Sequence, residues 1–249
     1  MIPRKTTKEI KIMREGGQRL RAVLKKVLSE VRPGVEKIHL ERIGEKEIKK
    51  LGGKPSFMMV EGYSWATCLT VNNEVVHGIP NGQILKNGDI LGVDVGIYFQ
   101  GFHTDLATTV GVGKISLGTQ KFLSAGGKAL RQAISKAKAG NFVGDLSVAI
   151  QKEIEGAGYH PVKVLTGHGV GKKLHEVPAI PCFLKGMVER TPKLAPGMTL
   201  AIEVIYNQGS DQVVMEEDGW TISTQDGKIS GLFEETVAIM DDGPLILTK

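Results

Sequence analysis

The chain contains an internal repeat, and this repeat limits the folds it can adopt more than any other feature. Two amphipathic helical patterns precede the first strand pattern, and a second pair of helical patterns begins near the middle of the chain. The second helices of the two pairs match at one constant offset, and the first helices match at an offset larger by about one helical turn. Matching positions include Gly34 and Gly140, Leu40 and Leu146, Gly52 and Gly158, Gly16 and Gly126, and Leu20 and Leu130.

The strand patterns repeat as well, and acidic residues coincide in them twice. LKNGDILGVDV aligns with LAPGMTLAIEV, which carries Asp94 onto Glu203. GFHTDLATTV then lies over SGLFEETVAI, which carries Asp105 onto Glu234. Amphipathic helices often resemble each other by chance, so the two coincident acids are the stronger evidence for a repeat.

Length and composition agree with a single folded unit. The chain has 249 residues, of which 41% are hydrophobic, enough for a sizeable core. We expect one α+β catalytic domain over residues 1–249, made of related halves at about 8–113 and 114–249. Each half should place two helices over an antiparallel sheet.

The net charge, the cysteines and the lack of a targeting signal limit which partners and which compartment we expect. The net charge of +5 favours loose association with acidic surfaces such as ribosomal RNA, although a merely soluble basic protein would look the same. Cys68 and Cys182 form no CxxC pattern, which argues against a disulfide scaffold and a thiolate zinc site. No apolar leader or membrane-length apolar stretch occurs, so we expect a cytoplasmic protein that binds neither membrane nor DNA.

Asp94 and Asp105 each stand in the middle of an apolar strand pattern. A buried carboxylate without a partner costs several kcal/mol, so it is usually paired, protonated or bound to a metal. A two-residue turn at Phe99 and Gln100 would place the two aspartates directly opposite each other. Directly opposed residues have Cβ atoms about 4.5 to 5.5 Å apart.

If the repeat is real, Glu203 and Glu234 form a matching pair and four carboxylates converge. Two divalent ions about 3.5 to 4 Å apart with shared carboxylates are a common hydrolytic arrangement. TGHGVGKKLHEVP supplies His168 and His175, and NNEVVHGIP supplies His77. Oxygen ligands with one imidazole suit Mn, Fe or Co, and also Zn.

Each element alone has a plainer interpretation. A single acid in a strand is more often an edge or pairing residue, and a single histidine before glycine more often belongs to a turn. GHGVGKK is not a phosphate loop, because Thr166 replaces the first glycine and Lys173 replaces the final Ser or Thr. The hypothesis of a metal site therefore rests on the acids and histidines occurring together in one chain.

Taken together, the ordered motifs resemble type I methionine aminopeptidases of peptidase family M24. The resemblance runs from about Lys8 to Met240 and rests on His77, Asp94, Asp105, His168 in GHGVG, His175 in LHEVP, Glu203 in AIEV and Glu234 in FEET. It implies the pita-bread (creatinase/aminopeptidase-like) fold of two pseudo-twofold halves. The short bacterial form is the nearest in pattern, since neither a zinc-finger extension nor a long insertion is expected.

The resemblance also implies a ligand set for two divalent ions (Co, Mn, Fe or Zn). Asp94 would bind one ion through both oxygens, Asp105 and Glu234 would bridge, and His168 and Glu203 would complete the other site. A bridging water would be the nucleophile, and Glu203 the general acid/base.

Further implications concern the substrate. His175 would stabilise the oxyanion, and His77 would contact the scissile amide. Such an enzyme removes the initiator methionine from nascent polypeptides with a small second residue. It would act as a monomer, in weak association with the ribosome.

The methionine pocket departs from the familiar bacterial pattern. Tyr63, Cys68, His77 and Trp220 match it. Phe57 stands where cysteine is common, Val60 where an aromatic residue is common, and Leu174 where phenylalanine is common. Near the last ligand, Glu234, the residues Leu232 and Glu235 replace Gln and His. An apolar, thioether-sized slot is still expected.

Two other interpretations share this fold. Xaa-Pro aminopeptidases and prolidases use it, usually with an additional N-terminal domain for which this chain leaves no room. Non-catalytic pita-bread proteins bind RNA or other proteins, but they lose ligands, whereas all five are present here.

Overall fold

The computed structural model describes residues 1–249, with four α-helices and thirteen β-strands. The helices are α1 (Thr7–Leu28), α2 (Lys37–Lys50), α3 (Leu117–Lys136) and α4 (Val143–Gly156). The strands are β1 (Lys54–Pro55), β2 (Thr67–Val71), β3 (Glu74–Val76), β4 (Ile90–Phe99), β5 (Phe102–Gly111), β6 (His160–Pro161), β7 (Thr166–Gly169), β8 (Glu176–Pro181), β9 (Thr199–Asn207), β10 (Val213–Met215), β11 (Ile222–Thr224), β12 (Ser230–Met240) and β13 (Gly243–Ile246). None of the helices is both long and apolar enough to cross a bilayer.

The helix pairs follow the repeat seen in the sequence. Both pairs begin with a capped first helix: the Thr6 hydroxyl accepts a hydrogen bond from the Glu9 amide, and the Ser116 hydroxyl accepts one from the Thr119 amide. Helix α1 has 22 residues and α3 has 20, while α2 and α4 have 14 each. The connection inside the pair is also longer in the first half, at 29–36 against 137–142. The first half therefore has additional residues both in its first helix and in the connection that follows it. Together these account for the difference between the two sequence offsets.

The two main sheets share one arrangement. Strand β4 pairs with β5 on one side and with β1 and β2 on the other. Strand β9 likewise pairs with β12 on one side and with β6 and β7 on the other, and β8 and β13 extend that sheet. Helices α1 and α2 cover the first sheet, and α3 and α4 cover the second. This is the α+β pita-bread fold of two pseudo-twofold halves.

The register of the first hairpin corrects the sequence prediction. Phe99 pairs with Phe102, so the turn residues are Gln100 and Gly101 rather than Phe99 and Gln100. Both have positive φ, 47° and 95°, as the commonest two-residue hairpin turn requires. Moving the turn by one residue shifts the pairing by two.

The direct opposition expected of Asp94 and Asp105 is therefore wrong, since Asp94 lies opposite Ala107. A shift of two residues keeps both carboxylates on one face, because side chains alternate along a strand. In the second half Glu203 and Glu234 are directly opposed, as expected.

Threonine side chains join the two halves between β5 and β12. The Thr236 hydroxyl accepts a hydrogen bond from the Asp105 amide at 2.9 Å and donates one to the Asp105 carbonyl at 2.8 Å. The Thr109 hydroxyl bonds both backbone groups of Leu232 in the same way, at 2.9 Å each. These contacts hold the acid-bearing strands together without a regular ladder.

Candidate active site

A cavity of about 140 Å³ lies where the two halves meet. Every sequence-predicted site residue lines it: His77, Asp94, Asp105, His168, His175, Glu203, Glu234, Phe57, Tyr63, Cys68, Leu174 and Trp220. Val60 and Val76 complete the wall. The chain thus brings together residues that lie up to 177 positions apart in sequence.

Four neighbouring strands each contribute one carboxylate to the cavity. Asp94 comes from β4, Asp105 from β5, Glu203 from β9 and Glu234 from β12. Asp105, Glu234 and His168 each present a ligand atom within 4.8 Å of the other two. The pseudo-twofold arrangement of the halves therefore produces a compact cluster of acids.

No cation of the chain lies in this cluster to balance the charge that its four acids would carry when ionised. No lysine or arginine lines the cavity. Burial raises the pKa of Asp105 to about 7, and burial together with neighbouring carboxylates raises the pKa values of Asp94 and Glu234 well above their usual range. The pKa of Glu203 is also raised by burial and by Asp105.

Two buried carboxylate oxygens, Oδ1 of Asp94 and Oε1 of Glu234, accept no hydrogen bond from the chain. Buried polar atoms are nearly always paired, so these oxygens are available to a cation. The donor set of four carboxylates and one imidazole fits divalent transition metals.

His168 completes this donor set, and its surroundings fix its orientation. A Cβ atom at Gly167 would lie 2.5 Å from the Ala201 carbonyl oxygen, and one at Gly169 would lie 2.3 Å from that of Val177. Glycine on both sides therefore lets β7 fit tightly between its neighbours. Nδ1 of His168 lies 2.9 Å from the Gly169 carbonyl oxygen, which as acceptor holds the proton on Nδ1.

The free nitrogen of His168 faces the acids. Nε2 lies 3.5 Å from Oε1 of Glu203 and 4.0 Å from Oδ2 of Asp105. Burial and the proximity of His175 lower the pKa of His168 to about 4, so the ring is neutral at pH 7. A neutral imidazole with a lone pair on Nε2 is the form that binds metals.

His77 and His175 lie beside the acid cluster. The rings of His168 and His175 meet edge to face with centroids 4.5 Å apart. His77 follows β3 and has a φ of 57°, a conformation that side-chain-bearing residues rarely adopt and that often marks functional sites. Burial lowers the pKa values of both rings, and His175 further lowers that of His77.

An apolar pocket forms the other side of the cavity. Tyr63 is at its centre, with its ring centroid 5.1 Å from that of Trp220 and 6.5 Å from that of Phe57, both edge to face. Its hydroxyl donates to the Thr67 carbonyl at 3.0 Å, so no polar atom of Tyr63 is left unpaired. Cys68 and Leu174 pack into the same buried cluster.

A second, larger depression was not anticipated from the sequence. We call it the basic groove; its charged lining residues are Arg4, Lys5, Glu9, Lys172, Lys173 and Glu176, and its volume is about 520 Å³. His175 lines both this groove and the catalytic cavity. Sequence reasoning also missed Val76 and the role of Thr236, because a valine or threonine in a strand carries no distinguishing signal.

The sequence matches the metallopeptidase family M24 over residues 11–240. It is 43% identical to a methionine aminopeptidase of Clostridium perfringens, with 100% of this chain and 99% of the relative covered. Identity to methionine aminopeptidase 1 of Bacillus subtilis is 41%, with both chains fully covered. Among solved structures, a methionine aminopeptidase from Thermotoga maritima superimposes with a TM-score of 0.97 at 40% identity, over 100% of both chains.

Proposed function

This chain belongs to metallopeptidase family M24, and from that membership we propose how its residues carry out methionine aminopeptidase chemistry. The reaction removes the initiator methionine from polypeptides by hydrolysis of the first peptide bond. One observation carries the proposal: four carboxylates and the free nitrogen of His168 converge on one cavity that no lysine or arginine lines. We take the substrates to be nascent polypeptides with a small second residue.

Asp94, Asp105, His168, Glu203 and Glu234 would hold two divalent ions. The unpaired oxygens of Asp94 and Glu234 and the neutral His168 ring support this assignment. Bound ions would supply Lewis-acid chemistry, which lowers the pKa of water and polarises a carbonyl oxygen. The oxygen-rich set suits Mn, Fe, Co or Zn, and it does not distinguish among them.

The chain's own groups would handle the proton and the developing charge. Glu203 accepts a proton from the attacking water and passes it to the leaving amine, a role suited to a carboxylate whose pKa is raised by burial. His175 borders the cluster and donates a hydrogen bond to the oxyanion. His77 contacts the scissile amide and fixes the peptide in the cavity.

The apolar pocket would select the methionine side chain. Phe57, Tyr63, Cys68, Leu174 and Trp220 surround a narrow slot with few free polar atoms, which suits an unbranched thioether. Aromatic edges near a sulfur atom add a favourable contact. The free α-amine of the peptide would lie by Asp94, which limits removal to a single residue.

The full-length relatives are methionine aminopeptidases, so activity on Xaa-Pro substrates is not favoured. A non-catalytic binding role is not favoured either, because the complete set of acids is retained. We further propose that the enzyme acts in the cytoplasm as a monomer. Its net charge of +5 supports weak association with the ribosome.

The test uses purified protein with Met-Ala-Ser, Met-Leu-Ser and Ala-Pro-Ala, each with and without added divalent metal. We expect release of free methionine from Met-Ala-Ser alone, and only when metal is present. Cleavage of Ala-Pro-Ala would instead support the Xaa-Pro activity. Release from none of the three peptides at any metal concentration would contradict the proposal.

A further inference from the structure

The basic groove adjoins the catalytic cavity, and the two share His175. Its walls come from the segment before α1, the first turn of α1, the start of β5, the loop between β7 and β8, and the start of β8. At about 520 Å³ it has the size of a ligand site rather than of a surface irregularity.

Both acids in the groove are already paired within the chain. Nζ of Lys5 lies 2.5 Å from Oε2 of Glu176, and the side chains of this pair are 5% and 7% exposed. Glu9 accepts a hydrogen bond from the Thr6 amide at 2.8 Å and lies 3.8 Å from Nζ of Lys172. Each carboxylate therefore has a lysine of the same groove as its partner.

Two cations in the groove remain without an acidic partner. Arg4 and Lys173 are exposed, and neither forms an ion pair within the chain. Guanidinium and ammonium groups bind carboxylates through charge-assisted hydrogen bonds. The groove thus presents an excess of positive charge to whatever enters it.

His175 connects the assigned reaction site with this groove. The apolar pocket and the acid cluster line one cavity, and His175, assigned to the oxyanion, lines both that cavity and the groove. If the methionine side chain fills the apolar pocket and the scissile bond lies at His175, the substrate residues that follow the second residue must continue past His175.

We propose that the basic groove binds residues three to five of the substrate and favours acidic side chains there. This inference rests on the proposed function, because it takes the reaction to occur beside His175. Arg4 and Lys173 are the specificity-determining residues. Neither residue is assigned to metal binding, proton transfer or the oxyanion, so both act on substrate binding and not on the chemical step.

The experiment compares three amidated peptides with the same first two residues: Met-Ala-Asp-Asp-Gly, Met-Ala-Asn-Asn-Gly and Met-Ala-Lys-Lys-Gly. Amidation removes the terminal carboxylate, which would otherwise compete for the groove. We expect kcat/KM to fall in that order, by about 2- to 5-fold at each step and mainly through KM, as for exposed ion pairs. The differences should shrink in about 1 M salt because exposed charges are then screened.

Charge reversal provides the matched test. The double variant Arg4→Glu with Lys173→Glu should reverse the order of the three peptides. The double variant Lys121→Glu with Lys152→Glu, on the exposed faces of α3 and α4, has the same net charge and should keep the original order.

The outcomes separate the two proposals. Equal kcat/KM values for the three peptides, or the same change in peptide preference in both double variants, would overturn the groove assignment while leaving methionine release intact. Failure to release methionine from the neutral peptide would count against the proposed function itself. Competition by a short RNA without any peptide preference would assign the cations to nucleic acid and also overturn the inference.

Discussion

Nε2 of His168 lies 3.5 Å from Oε1 of Glu203, while Nδ1 of the same ring is held by the Gly169 carbonyl. The two residues come from β7 and β9, neighbours in the second sheet. Their facing donor atoms, with Asp105 4.0 Å from the same nitrogen, make this the part of the cavity best prepared for a cation.

Chelation should abolish activity and lower the melting temperature. Ions that bind only the folded chain stabilise it by mass action, so their removal takes that stabilisation away. Added Mn, Co or Fe should restore both properties, since no cysteine ligand is involved and oxygen-rich sites exchange metals readily. The measurement is methionine release beside thermal unfolding; full activity in excess chelator would refute a metal mechanism.

The metal-free protein should become less stable as pH rises from 7 to 8.5. Asp94, Asp105, Glu203 and Glu234 hold protons in the folded state that they release on unfolding, because burial raises their folded pKa values. Stability from such groups is fully present below their unfolded pKa and is lost progressively as pH rises to the folded pKa, so the loss is still in progress at about 7, the folded pKa of Asp105.

The histidines oppose this trend only at lower pH, since their lowered pKa values matter below about 6.5. Thermal unfolding with chelator at pH 7 and 8.5 makes the measurement, and Glu203→Gln should flatten the dependence by removing one titrating acid. A melting temperature that rises over this interval in the metal-free protein would contradict the account.

Thr236→Val should destabilise the fold. The substitution keeps the shape but removes the hydroxyl that bonds both backbone groups of Asp105. Leaving buried backbone groups unpaired costs about 1 to 3 kcal/mol. Urea unfolding measures the loss, and Thr108→Val, at a half-buried position on β5, is the control expected to change stability little. Equal effects of the two substitutions would show that the contact is unimportant.

Peptides with a small second residue should be preferred. The cavity is small, about 140 Å³, and His77 and His175 crowd the position of the scissile bond. Met-Ala peptides should be cleaved at least about 10-fold faster than Met-Leu peptides, because added methylenes in a tight site cost about 1 to 3 kcal/mol. Initial rates decide this, and His77→Ala should narrow the ratio. Similar rates on both peptides would overturn the steric explanation.

Much of this arrangement was accessible from the sequence, because acids inside apolar strands and a helical repeat are strong periodic signals. The four carboxylates could be placed on one face through strand alternation alone. The register of the β4–β5 hairpin could not be predicted in this way. It depends on whether the two-residue turn begins at Phe99 or one residue later, where Gly101 tolerates positive φ.

The basic groove could not be predicted from the sequence, for a different reason. Arg4 and Lys173 are 169 residues apart, and only the packing of the initial segment against the loop after β7 makes them neighbours. Surface cations of this kind have no pattern in the sequence that separates a binding groove from an ordinary solvated face.

The most direct test of the central claim compares Asp105→Ala with His175→Ala. Asp105 belongs to the cluster that would hold the ions, so its loss should lower metal content, and activity should fall for that reason. His175 is assigned to the oxyanion, so its variant should retain the metals while kcat falls by about 10²- to 10³-fold with little change in KM. Asp105→Asn serves as a variant of matched volume should the alanine variant fold poorly.

Elemental analysis beside kcat and KM therefore decides the matter. The account predicts metal loss in the Asp105 variants and full metal content with a slow chemical step in His175→Ala. A His175→Ala protein that lost its metals or kept its full rate, or an Asp105→Ala protein with undiminished metal content, would contradict it.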